Sequence, residues 1–143
     1  MTGVYLRGPG AVELAREIAR ARRTGQPLVV AFVDVDKLKA INDSQGHAAG
    51  DRTLREVAHA LRSSLRVYDL VIRYGGDEFV CAISGLTMAA AKKRLARVNV
   101  ELGRGVHHRS VTVGLAQLQQ QDDSVDSLVA RADTALYEAR CSF

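Results

Sequence analysis

Two groups of carboxylates stand where a core strand has no structural use for them. The first is Asp34-Val35-Asp36, which directly follows the apolar run Leu28 to Val33. If that run is a strand, its side chains alternate with period two, so Asp34 and Asp36 share one side at its C-terminal end. The second is Arg73-Tyr74-Gly75-Gly76-Asp77-Glu78-Phe79. Here consecutive acids follow two glycines, whose missing side chains let a bulky ligand approach the backbone. Each group also has a plain structural explanation. Asp36 can cap a following helix and Asp34 can be a solvated strand end, whereas a hairpin needs Gly-Gly but not the acids. Brought to one end of a sheet, three or four carboxyl groups would repel and raise one another's pKa values. A hard dication resolves that repulsion. Mg²⁺ takes one or two carboxylates together with phosphate oxygens, and a metal pair clamps both oxygens of an in-line phosphoryl transfer. The residue types therefore point to phosphoryl chemistry on a nucleotide.

The elements that must position these groups follow from periodicity. An amphipathic pattern begins after Pro9 and Gly10, buries Leu14, Ile18 and Ala21 on one face, and stops at Thr24-Gly25. Leu28 to Val33 is short, β-branched and apolar throughout, as expected of a strand covered on both faces. Lys37 to Asn42 reads as a short helix that Gly46 ends. Leu54, Val57, Ala58, Leu61 and Leu65 mark a longer helix, with Asp51 expected near its N-terminus where the dipole favours an acid. Leu70 to Arg73 and Phe79 to Ile83 read as strands joined by Tyr74 to Asp77, with Gly-Gly as a tight hairpin signal. A helix through Met88, Ala91, Leu95, Val98 and Leu102 follows, then an alternating strand at Val111, Val113 and Leu115, then a helix from about Ser124 to Arg140. The expected order is α-β-α-α-β-β-α-β-α. It contains a variant of the split βαβ plan, an α+β fold with a mainly antiparallel sheet flanked by helices.

Composition narrows the setting. The 143 residues carry 20 Lys+Arg and 16 Asp+Glu, for a net charge of +4, and 47% are hydrophobic. A chain of this size buries roughly 70% of its unfolded surface, enough for one core without disulfides. No linker or repeat divides it, so a single domain over 1–143 is expected. Charges of both signs are interspersed, and neither a basic stripe nor an aromatic series accompanies them, which disfavours nucleic acid. Cys81 and Cys141 match no metal or redox spacing, and Cys81 reads as a core thiol. No stretch has the length of a membrane helix and no signal peptide opens the chain. A cytoplasmic domain with no membrane contact of its own is expected.

Six ordered segments together resemble the GGDEF domain family, the diguanylate cyclases. They are Thr2-Gly3, Ala31 to Asp43 as AFVDVDKLKAIND, Gly46-His47 with Gly50-Asp51, Arg73 to Phe79 as RYGGDEF, Thr112 to Ala116, and Arg131 to Tyr137. The resemblance implies a fold similar to the catalytic palm of nucleotidyl cyclases. It also implies condensation of two GTP into cyclic di-GMP with release of two pyrophosphates, at a site shared by a homodimer. By position, Asp34, the Val35 carbonyl and Glu78 correspond to ligands of Mg²⁺, with Mn²⁺ as an alternative ion. Asp77 corresponds to the acid that helps deprotonate the 3′-hydroxyl, and it is also a possible metal contact. Asn42 and Asp51 correspond to guanine readers, and a carboxylate suits the N1 and N2 donors. Lys39, the amides around Lys37 and Leu38, Gly75, Gly76 and Arg140 fall in the nucleotide-binding segments. For His47, packing and ligand contact stay equally open.

Arg66-Val67-Tyr68-Asp69 resembles the family's RxxD inhibitory motif, where an intercalated product dimer binds. Arg66 and Asp69 would contact it, with Arg97 as a second contact and Arg94 competing for that place. A plain salt bridge is the alternative for any RxxD. The chain departs from the family pattern at Leu6, where Asn is usual, at Leu38, where Phe is usual, and at Arg140, where Lys is usual. The Gly-Arg-Asn-Arg segment that ordinarily follows is absent before Phe143. Truncation at both ends and an upstream regulatory domain are expected on this ground. A non-catalytic module that binds GTP or cyclic di-GMP and signals to a partner is the alternative function.

Overall fold

The computed structural model describes residues 3–120 and 124–141; Thr2 and Phe143 lie outside them. In chain order the elements are β1 (Tyr5–Leu6), α1 (Arg7–Thr24), β2 (Leu28–Val35), α2 (Leu38–Gln45), α3 (His47–Ser64), β3 (Leu70–Arg73), β4 (Glu78–Ser84), α4 (Met88–Gly103), β5 (Val111–Gln117) and α5 (Val125–Cys141). The strands form one sheet in the order β1-β3-β4-β2-β5. Every pairing is antiparallel except that of β1 with β3. The expected α+β architecture is present, with β2 at the centre of the site-bearing strands.

Alternation along β2 divides the core into two layers. Val29, Ala31, Val33 and Val35 pack with Leu54, Val57, Leu61, Leu95 and Val98 of α3 and α4. Leu28, Val30 and Phe32 pack with Leu14, Ile18, Leu128 and Leu136 of α1 and α5. Asp34 continues the second row, so its carboxylate emerges on the α5 side of the sheet. Gly114 seats α5 on β5, because a methyl group there would run into the backbone of Ala132 and Leu136. Cys81 is fully buried, and burial pushes its thiol up to about 12, in keeping with an inert core group. Among the described residues no helix is long and apolar enough to cross a membrane.

Four details differ from the sequence reading. A two-residue strand, β1, precedes the first helix; it has no periodicity of its own and exists through pairing with Ile72 and Arg73. α1 begins at Arg7, before Pro9. Proline is tolerated in the first turn, where its missing N–H has no intrahelical acceptor. α3 begins at His47, so its first turn holds no acid and Asp51 sits one turn further in. Gly75 and Gly76 do not adopt the positive φ of a tight two-residue turn; the loop is four residues long, closed by the Tyr74 and Gly75 amides donating to the Glu78 carbonyl at 2.9 and 3.2 Å.

Candidate active site

The antiparallel register puts Asp34 directly opposite Glu78 on β4 and opposite Thr112 on β5. Asp77, at the end of the loop, is tied to the same place through its carbonyl, which accepts from the Val35 amide at 3.0 Å. The ends of β2 and β4 thus gather the acids that the sequence singled out. Burial, together with repulsion from the Asp77 and Glu78 carboxylates, raises the pKa of Asp34 to about 6 despite the nearby Arg140. Burial first, then Asp77 and Asp133, also raises Glu78. Asp34 Oδ1 is enclosed and finds no donor. A proton shared with the adjacent Asp77 carboxyl, or a cation, satisfies it.

The loop that carries these acids is held by residues the sequence reading left without a role. Arg73 Nε and Nη2 donate to the carbonyls of Gly75 and Gly76 at 2.8 and 2.6 Å. Arg7 lies over the Tyr74 ring, 4.0 Å from its centre, and donates to its hydroxyl at 3.2 Å; Tyr74 in turn meets Phe32 edge-on. Gly75 leaves room for the carboxylate, since a Cβ there would push Glu78 Oε1 out of its present position. At Gly76 a Cβ would meet nothing, so its exposed backbone is open to a ligand.

On the α2 and α3 side of this loop lies a cavity of about 430 Å³ lined by Lys39, Asn42, His47, Asp51, Gly76 and Asp77, among others. Of the positions expected to contact nucleotide it brings Lys39, Asn42, Asp51 and Gly76 together, whereas Gly75 and Arg140 do not line it. Asn42 is seated against α3 at Gly50, where a Cβ would overlap its Oδ1. α2 is preceded by Lys37, whose φ of 60° makes it one of two non-glycine residues with positive φ among the described residues. That left-handed step turns the chain sharply from β2 into the helix bearing Lys39 and Asn42.

Asp36, which the sequence reading left between capping and site roles, is a hub. Its carboxylate accepts from Ser110 Oγ and Thr112 Oγ1, each at 2.7 Å, and from Arg140 Nη2 at 3.0 Å. The same Arg140 nitrogen lies 3.1 Å from Asp34 Oδ2. The period-two spacing of Asp34 and Asp36 predicted their shared side; their partners on β5 and α5 are tertiary and had no local signal.

Arg66 and Asp69 are bound to each other. Arg66 Nε and Nη2 reach Asp69 Oδ2 and Oδ1 at 3.1 and 3.0 Å, the Arg66 amide donates to Oδ2 at 2.9 Å, and Nη2 also donates to the Ser84 carbonyl. Asp69 is buried, with its side chain fully enclosed. Arg66, Tyr68 and Arg20 border a cavity of about 550 Å³ beside α1. Arg97 is exposed on α4 and does not line that cavity.

Among the described residues, no three carboxylate, imidazole or thiol groups converge into a ready metal cage. The donors nevertheless fit Mg²⁺, which uses one or two carboxylates and completes its shell with water and phosphate oxygens. Asp34, desolvated and with one oxygen unsatisfied, and Glu78 across from it supply that set.

An acid-tipped central strand and hairpin, beside a polar cavity on a five-stranded mixed sheet flanked by five helices, define the class of a nucleotidyl cyclase palm. The chain matches the model of the family described as diguanylate cyclase, GGDEF domain, over residues 1–142, and it belongs to that family. It is 32% identical over 151 residues to the response regulator PleD of Caulobacter vibrioides, an alignment covering 99% of this chain and 33% of PleD. It is 38% identical over 133 residues to the diguanylate cyclase DosC of Escherichia coli, covering 87% of this chain and 29% of DosC. The chain thus spans about a third of the length of these curated relatives. Among solved structures, the GGDEF domain of TpbB (YfiN) from Pseudomonas aeruginosa superposes with a TM-score of 0.92 at 32% identity, covering 100% of this chain and 94% of that one. The GGDEF domain of DgcB from Caulobacter crescentus, in complex with cyclic di-GMP, gives 0.86 at 28% identity, covering 95% and 85%.

Proposed function

We propose that this domain condenses two GTP molecules into cyclic di-GMP and two pyrophosphates, with each of two protomers presenting one GTP. The observation that carries the reading is the meeting of Asp34, Asp77 and Glu78 at one sheet end, beside the cavity that holds Asn42 and Asp51. Asp34, the Val35 carbonyl and Glu78 would hold Mg²⁺ or Mn²⁺, with Asp77 beside them. A divalent cation bound there neutralises phosphate charge and lowers the pKa of the attacking hydroxyl. Asp77 accepts the 3′-hydroxyl proton. Asp51 accepts from guanine N1–H and N2–H while Asn42 offers both a donor and an acceptor, a pattern that adenine does not match. Lys39, the amides that open α2 and Arg140 bind phosphate, and Gly75 and Gly76 let the nucleotide lie against the backbone.

Product feedback is the accompanying proposal. Because Arg66 is already oriented by Asp69, its guanidinium presents a fixed edge to the cavity beside α1, where phosphate or a guanine edge would dock; Arg97, on α4 across the sheet, lies away from that cavity. An upstream domain that sets dimerisation agrees with the multidomain length of the relatives.

The test is incubation of the purified domain with GTP and Mg²⁺, with cyclic di-GMP detected by mass spectrometry. Product is expected, forming faster than linearly with protein concentration. GTP or cyclic di-GMP that binds without turnover at high protein concentration would replace this reading with that of a binding module.

A further inference from the structure

The position of Arg140 carries an inference that rests on the metal assignment just given. One nitrogen, Nη2, bridges Asp34 Oδ2 at 3.1 Å and Asp36 Oδ1 at 3.0 Å. Asp36 cannot follow it far, because both of its oxygens are fixed by the Ser110 and Thr112 hydroxyls and its amide donates to the Ser110 carbonyl at 3.0 Å. Arg140 is 41% exposed and sits in the last turn of α5, where a cation is favoured by the helix dipole. A guanidinium keeps its charge at any working pH.

We propose that Arg140 is a resident counter-cation for Asp34, anchored by Asp36, and that it competes with the divalent cation for that carboxylate until nucleotide phosphate draws it away. A dication at Asp34 and a guanidinium on the same carboxylate repel, so each weakens the other. A triphosphate offers Arg140 a fork-shaped acceptor of higher charge. Transfer of the guanidinium to phosphate frees Asp34, so metal and nucleotide bind with positive, reciprocal coupling. Arginine suits this exchange because the same planar fork fits carboxylate and phosphate alike.

The experiment is Mn²⁺ binding to the metal-free protein, read from the free-ion signal in electron paramagnetic resonance, with and without a non-hydrolysable GTP analogue. Arg140→Ala should bind Mn²⁺ about fivefold or more tightly than the wild type without nucleotide. The analogue should tighten Mn²⁺ binding to the wild type more than to the variant. Arg140→Gln, which keeps length and polarity, should show the same shift, and a thermal melt of both variants checks that they are folded. Equal or weaker Mn²⁺ binding by both variants, with Asp34→Asn still abolishing it, overturns this inference and leaves the metal assignment standing. If Mn²⁺ binding is indifferent to Asp34→Asn, the metal assignment and this inference fall together.

Discussion

Asp34 and Glu78 face each other across β2 and β4, two carboxylates in one cross-strand position. Like charges directly opposite destabilise a sheet, and neither residue contributes to the core. The folded protein holds the Asp34 proton up to about pH 6, whereas the unfolded chain releases it near 3.8. The metal-free fold therefore loses stability as pH rises from about 4 to 6 and stays lower above that range. Asp34→Asn should flatten this slope and raise the metal-free melting temperature at pH 7. Thermal denaturation of both proteins from pH 4 to 8 in a chelator checks it; a variant less stable than the wild type at pH 7 would contradict the assignment.

Gly50→Ala should separate recognition from folding. The added methyl displaces Asn42 from its seat, while alanine within α3 gains up to about 1 kcal/mol of helix propensity. Titration with a fluorescent GTP analogue should show affinity lower by about 1–3 kcal/mol, with discrimination against ATP eroded and the fold retained.

The Arg66 and Asp69 pair should be measured by stability as well as by product inhibition. Arg66→Ala leaves a fully enclosed carboxylate with only the Arg66 amide as donor. Chemical denaturation should report a loss of about 3 kcal/mol, and the double variant with Asp69→Ala should be less damaged than the sum of the single ones. Relief of inhibition by cyclic di-GMP in Arg66→Ala is meaningful where the melt shows the variant folded.

Gly114→Ala should be strongly destabilising for a single added methyl. The methyl meets backbone, not side chains, at Ala132 and Leu136, so local repacking cannot absorb it. α5 must lift from β5, taking Arg140 with it. A loss of about 3 kcal/mol or more is expected in urea unfolding.

The sequence was most readable where a residue's own neighbours decide its state. Leu28 to Val33 has the look of a doubly covered strand, and if that strand continues, period-two alternation puts Asp34 and Asp36 on one side whatever their partners. Asp77 and Glu78 could be placed at a hairpin because glycine precedes them. What escaped is set by contacts distant in the chain. β1 owes its two residues to β3, and the fixed posture of Asp36 depends on hydroxyls 74 and 76 residues away. Arg73 gave no sign that it would hold the carbonyls of the loop that follows it. Gly75 was singled out for turn geometry and for ligand access to the backbone; its proximity to the Glu78 carboxylate, where a Cβ would crowd Oε1, had no local signal.

The site divides into parts with different freedom to open. β2 is paired on both sides and buried on both faces, so its amides should exchange with solvent only when the whole domain unfolds. α2 is eight residues long and buries only Leu38 and Ile41, and its opening needs far less energy. Asp34 thus rides on the most persistent backbone in the molecule, while Lys39 and Asn42 ride on one of its least secured helices. On the proposed reading, breathing of α2 would admit and release a nucleotide while Asp34 keeps its place on β2.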